Sequence, residues 1–253
     1  MQNKTTSLER PSSVARPAGP KRRADSEATR ERILDAAEKL FADAGFHATS
    51  VRDIAVLAGC QFALIGYHFG TKSDLLDHVV ARRSSVLNQE RSERLERLGI
   101  LAKGKPIAVR ALIEGFVGAI MDRAGQGDEG WSNYTRLIAA IAVSAEWSHL
   151  TDRHFNEVAR RYVAQMKRSL PKVPDESLHQ AFFFLIGAMV NVCARPDRVE
   201  TLSQGRFGSK EVSRMTDSLY TFLEGGFAAV AQRGSATRPR KAATPARPAR
   251  KVR

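Results

Sequence analysis

The chain has 253 residues, 43% of them hydrophobic, enough for a sizeable core in one large domain or in a small domain plus a medium one. The N-terminus is polar and basic with no apolar signal segment, and the longest apolar run, 181–190, is too short to cross a bilayer, so neither secretion nor a membrane is expected. Cys60 and Cys193 lie far apart without metal-ligand spacing, which excludes a disulfide framework and points to a reducing cytoplasm.

The net charge of +13 is unevenly placed. Residues 1–30 carry +4 and residues 233–253 carry +8, which leaves +1 for 31–232. Both ends are rich in Pro, Ala, Arg, Lys, Ser and Thr. Such segments bury too little apolar surface to offset chain entropy. They read as disordered arms, 1–27 and 233–253, that could bind phosphates nonspecifically through counterion release or merely solubilise the chain.

Between the arms nearly every segment has helical period. Residues 29–44 place Ile33, Ala36, Ala37, Leu40 and Phe41 on one stripe, and Gly45 ends the helix. Short helices follow over 51–58 and 61–68. Ser50 with Asp53 forms a capping signature for the first, Gly59 ends it, and Gly70 ends the second. Thr71 with Asp74 caps a long helix over 73–98, apolar at Leu75, Leu76, Val79, Val80, Val86 and Leu87. Its charged stretch 89–97 reads as a solvated face. Further helices are predicted over 106–123, 131–147, 150–170, 175–194 and 209–230, with polar loops at 125–130 and around Gly205 and Gly208. No segment alternates with period two, so the expected fold is all-α without a sheet.

Two short helices joined across Ala58-Gly59-Cys60 after an amphipathic helix have the layout of a helix-turn-helix, whose second helix enters the major groove. The run Thr49-Ser50-Val51-Arg52-Asp53-Ile54-Ala55, then Ala58-Gly59, then Tyr67-His68-Phe69-Gly70-Thr71-Lys72-Ser73-Asp74-Leu75 resembles the TetR family of bacterial regulators. So does Arg32-Ile33-Leu34-Asp35-Ala36-Ala37 with Phe41 and Gly45-Phe46. The resemblance implies a three-helix DNA-binding domain over 28–80 and a helical effector-binding and dimerisation domain over 81–232. It implies a regulator, usually a repressor, that binds double-stranded operator DNA as a homodimer through its last two helices.

Carried over residue by residue, Thr49 and Ser50 would touch phosphate, and Arg52 phosphate or a base edge. Gln61, Phe62 and Leu64 would face the groove, Tyr67 and His68 would end the reading helix, and Lys72 would hold the DNA backbone. Gly66 departs from the family pattern, and the reading face is poor in hydrogen-bonding groups, so groove shape and the basic arm would contribute to specificity. Ile54, Ala55, Leu57, Cys60, Ile65 and Phe69 read as core.

Gly130-Trp131, Tyr134 and Arg136-Leu137, with 170–182, Gly187-Ala188-Met189 and 195–205, are similar to a C-terminal subgroup that includes fatty-acid-responsive regulators. This implies a small hydrophobic effector, an acyl chain or acyl-CoA. Candidate pocket residues are Phe116, Ile120, Trp131, Tyr134, Leu137, Ile138, Phe183 and Met189. No nucleophile elbow, P-loop, dinucleotide fingerprint or zinc motif is present, and the six histidines form no ligand pair, so neither an enzyme, a cofactor nor a metal is expected. The competing reading is an architectural protein that binds DNA nonspecifically through its basic tails.

Overall fold

A computed structural model describes residues 20–194, 197–208 and 212–236. The arm and tail expected at 1–27 and 233–253 lie mostly outside the described residues, although 20–27 are helical. In chain order the helices are α1 Pro20–Ala44, α2 Val51–Ala58, α3 Phe62–Phe69, α4 Lys72–Ala102, α5 Val109–Ala124, α6 Glu129–Ala142, α7 Ser148–His154, α8 Asn156–Ser169, α9 Asp175–Ala194, α10 Arg198–Leu202 and α11 Val212–Ala236. A 3-10 turn, Ala145–Trp147, precedes α7, and no strand occurs among the described residues.

α1, α2, α3 and the start of α4 share one core built on Ile33, Ala37, Phe41, Ile54, Ile65, Phe69 and Leu75. α4 then runs on into the C-terminal domain, where it packs against α5, α7 and α8, while α9 lies against α6, α8 and α11. Phe116 of α5 is central there, its ring edge-on to Phe182 at 5.0 Å and to Tyr162 at 5.2 Å. The end of α1 also seats on α6. Lys39 pairs with Glu129, Arg136 with Asp43, and the Phe46 ring meets Trp147 at 4.7 Å.

Several boundaries differ from the sequence expectation. The helix expected over 131–147 stops at Ala142, and the one expected over 150–170 breaks at Phe155, whose φ of −131° is not helical. α5 begins at Val109 because Ala108 is extended, which leaves Pro106 in the preceding loop. α10 falls in a stretch expected to be loop. Leu57, expected in the core, is 48% exposed, and Val86, one of the apolar positions of the long helix, is 41% exposed. α9 is long and apolar enough to pass as a membrane-spanning helix by composition, yet its inner side is buried in the fold.

Two capping boxes fix the helix-turn-helix. The Ser50 hydroxyl accepts the Asp53 N–H, and the Asp53 carboxylate accepts the Ser50 N–H. Thr71 and Asp74 repeat the pattern at α4. Bonds from the hydroxyl and then the backbone N–H of its capping partner hold each aspartate below its ordinary value of 3.8. A depressed carboxylate contributes stability that is present above its unfolded value and lost as pH falls through its folded one. The melting temperature followed by circular dichroism is therefore expected to drop between about pH 5 and pH 3. The Asp53→Asn, Asp74→Asn double variant should show a shallower fall, and an unchanged slope would rule the boxes out as its source.

Candidate nucleic-acid interface and effector core

α3 is held out from the body by its two ends. Gly59 takes a left-handed conformation, φ 60°, which lets the Cys60 N–H close on the Ala55 carbonyl at 3.0 Å and turns the chain sharply from α2 into α3. At the other end Gly70, φ 77°, ends α3 and leads directly into the Thr71 cap. Ile65 and Phe69 anchor the inner side of α3, while Phe62 and Tyr67 are 56% and 81% exposed.

The residues proposed from sequence to touch DNA fall into two groups. Arg52, Gln61, Phe62 and Tyr67 are exposed, and Ser50 is exposed with its hydroxyl held in the capping box. Gln61 stands just before α3 in extended conformation and its side chain caps nothing. Leu64 and His68 are half-buried. Thr49 is turned inward: it is buried and its hydroxyl donates to the carbonyls of Gly45 at 2.8 Å and Leu40 at 3.1 Å. Its role is to fasten the start of α2 onto the end of α1. Lys72 is likewise engaged within the fold. Its ammonium donates to the Phe46 and Thr49 carbonyls, both at 2.9 Å, and lies 4.2 Å from the Phe46 ring centre.

Gly66 sits one turn after Phe62 on the exposed side of α3. A Cβ added there meets nothing within 4 Å, and the backbone is ordinary helix. Nothing inside the fold requires glycine at this position.

In the C-terminal domain Phe116, Ile120, Trp131, Tyr134, Leu137, Ile138 and Met189 are all buried in one core. Phe183 is not among them. It is 69% exposed beside Phe184 on the outer face of α9, and the sequence expectation fails here since a helix apolar on every side does not announce which side turns inward. On α11 Phe222 is 73% exposed, and α9 and α11 pack against each other. The two packed helices thus carry exposed aromatic rings at Phe183, Phe184 and Phe222 and exposed glycines at Gly187, Gly225 and Gly226.

Sequence reasoning missed Arg91. It lies in the charged stretch 89–97 expected to be solvated, but α4 keeps its buried stripe at Leu76, Val80, Ser84, Leu87, Arg91 and Leu95. The spacing of four and three residues was the available signal. It also missed a cleft of about 460 Å³ between α1, α2 and α6, lined by Arg32, Asp35, Lys39, Leu57, Arg83 and Glu129 among others.

Residues 33–79 match the family described as bacterial regulatory proteins, tetR family, and residues 114–226 match the tetracyclin repressor-like C-terminal domain. The chain is 36% identical over 113 residues to the HTH-type transcriptional repressor Rv3405c of Mycobacterium tuberculosis, a match covering 43% of this chain and 56% of that protein. It thus spans about half the length of the curated relatives it matches. Among solved structures it resembles the fatty acid degradation regulator FadR from Bacillus halodurans, with TM-score 0.55 and 13% identity over 78% of this chain and 98% of that one. It also resembles the TetR family regulator PfmR from Thermus thermophilus, with TM-score 0.52 and 20% identity over 77% and 94% of the two chains. At these identities the structural likeness speaks for the fold alone.

Proposed function

We propose, since this chain belongs to the TetR family of bacterial regulators, that it is a cytoplasmic, sequence-specific DNA-binding repressor that acts as a homodimer and is released from its operator by a small apolar effector. The observation that carries the reading is α3 itself: a short helix with one anchored side and one aromatic, exposed side, presented by the left-handed turn at Gly59. Two such helices in a twofold dimer would enter successive major grooves about one helical turn apart. The exposed aromatic face of α9 and α11 supports dimerisation through those helices. The buried aromatic core around Phe116 and Tyr134 supports an effector site in the C-terminal domain. The name of the FadR neighbour, a regulator of fatty acid degradation, agrees with an apolar effector.

Ser50, Arg52 and Tyr67 would contact phosphate and set register, while Gln61 and Phe62 would read base edges. Leu64 and His68 would flank them. Thr49 and Lys72 would act by holding the α1–α2 junction, with any remaining ammonium donor of Lys72 turned to phosphate. Gly66, unneeded by the fold, would let the helix backbone lie close to the groove floor.

Fluorescence anisotropy on operator and random duplexes tests the assignment. Gln61→Ala is expected to weaken operator binding by about 1–3 kcal/mol while leaving random-sequence binding unchanged. Equal loss on both would remove Gln61 from the reading set. Equal affinity of the unaltered protein for both duplexes would favour an architectural, nonspecific DNA binder.

A further inference from the structure

Arg91 is 2% exposed in the middle of the C-terminal core. Its Nε donates to the Phe116 carbonyl at 3.0 Å, and one terminal nitrogen reaches only the Met189 sulfur at 3.9 Å. The guanidinium lies 4.1 Å from the centre of the Phe116 ring. Among the described residues no carboxylate pairs with it. The adjacent Glu90 is taken by Arg94 and Arg123 on the other side of α4. Burial pushes Arg91 down to about 10, so it keeps its charge at neutral pH.

Close enough to feel that charge, Tyr134 is wholly buried, and among the described residues its hydroxyl makes no close hydrogen bond, with only the Ser84 side chain within weak reach. Burial raises its pKa, so it stays a neutral phenol with a proton to donate. Buried charges in proteins are normally paired, and buried hydroxyls normally bonded. Here the core holds a buried guanidinium that no carboxylate pairs among the described residues, beside a buried phenol, while the one carboxylate that acts on Tyr134, Glu38, is taken by Arg82 and Arg83. A guanidinium presents a planar fork of N–H groups whose geometry matches a carboxylate.

We infer that Arg91 and Tyr134 form the head-group site of the effector pocket, and that the effector is a carboxylic acid carried on an apolar body. The inference rests on the reading of the C-terminal domain as the effector domain. The carboxylate would lie against the Arg91 fork and accept the Tyr134 hydroxyl, with its apolar part among Phe116, Leu137 and Met189. A thioester would bring only a neutral carbonyl to this point and would leave the guanidinium unpaired, so the free acid is the better complement.

The test uses the full chain with decanoate, 1-decanol and acetate as probes, read by calorimetry and thermal shift. Decanoate is expected to bind at least about tenfold more tightly than decanol, the effect of one charge-assisted hydrogen bond in a dry site. Acetate should bind far more weakly than decanoate. Arg91→Met should abolish the preference for acid over alcohol, and should melt higher than the unaltered protein when empty, because a buried unpaired charge has been replaced by an apolar side chain. Equal affinity of the unaltered protein for decanoate and decanol overturns the inference. So does binding of neither, or an Arg91→Met protein that still prefers the acid. Acetate binding as tightly as decanoate overturns the apolar body. The acid–alcohol comparison needs no variant and so does not depend on the folding of Arg91→Met. Operator binding by the unliganded protein is measured alongside. Its absence would overturn the regulator reading whatever decanoate does, whereas its presence with no acid preference would overturn the head-group site alone.

Discussion

Replacing Glu38 by alanine is expected to destabilise the protein by about 3 kcal/mol in urea unfolding. Glu38 is 1% exposed on α1, and its Oε2 accepts from Arg83 Nε at 2.7 Å and from Arg82 at 3.1 Å, both on α4. Removing the carboxylate leaves Arg83 without its ion-pair partner, its guanidinium lying over the Trp131 ring at 4.9 Å and against Gly130. Arg82 would keep Glu31 and Asp35. The expected loss is large because one partner of a desolvated pair is deleted and the other stays behind. The Glu38→Ala, Arg83→Met double variant should recover part of it. A loss below about 1 kcal/mol for the single variant would mean that water reaches the site as at an ordinary surface pair. By contrast Lys39→Ala, which breaks an exposed pair with Glu129, should hardly move the unfolding midpoint.

Phe222→Glu is expected to turn a dimer into a monomer in sedimentation equilibrium and to lower operator affinity by more than about a hundredfold, the usual worth of joining two binding modules. Phe222 is 73% exposed within one chain, so the charge should leave the monomer fold and its circular dichroism intact. At the centre of an apolar interface the same charge would be desolvated without a partner. A variant that stays dimeric would move the interface elsewhere, and a monomeric variant with undiminished operator affinity would remove the need for two half-sites.

The helix-turn-helix was legible because its signals are local. Ser50 with Asp53 and Thr71 with Asp74 mark where helices begin, and Gly59 and Gly70 mark where they end, whatever packs around them. The first turns of α1 escape a reading by periodicity because residues 20–28 are Pro, Ala, Ser and charged residues with no apolar stripe. The break at Phe155 was missed because neither glycine nor proline announces it, and the residue is set by packing between α7 and α8. Thr49 and Lys72 were placed by position in a motif, but which way a hydroxyl or ammonium turns depends on the carbonyls left open at Leu40, Gly45 and Phe46. Phe183 and Arg91 erred in opposite directions. Residue type points the aromatic inward and the arginine outward, whereas helical register sets them the other way round.

α4 is one unbroken helix of 31 residues whose only glycine, Gly99, lies near its far end. From Arg91 back to Lys72 it spans about 28 Å at 1.5 Å per residue. Because Lys72 clasps the carbonyls of Phe46 and Thr49, the start of α4 and the α1–α2 junction must travel together. α4 is therefore geared. A tilt of about 6° pivoting at Arg91 would sweep the reading head by about 3 Å, close to one base-pair rise along DNA. A sub-ångström adjustment in the core, too small to see as a rearrangement, would by this leverage be enough to put two twofold-related heads out of step with their grooves.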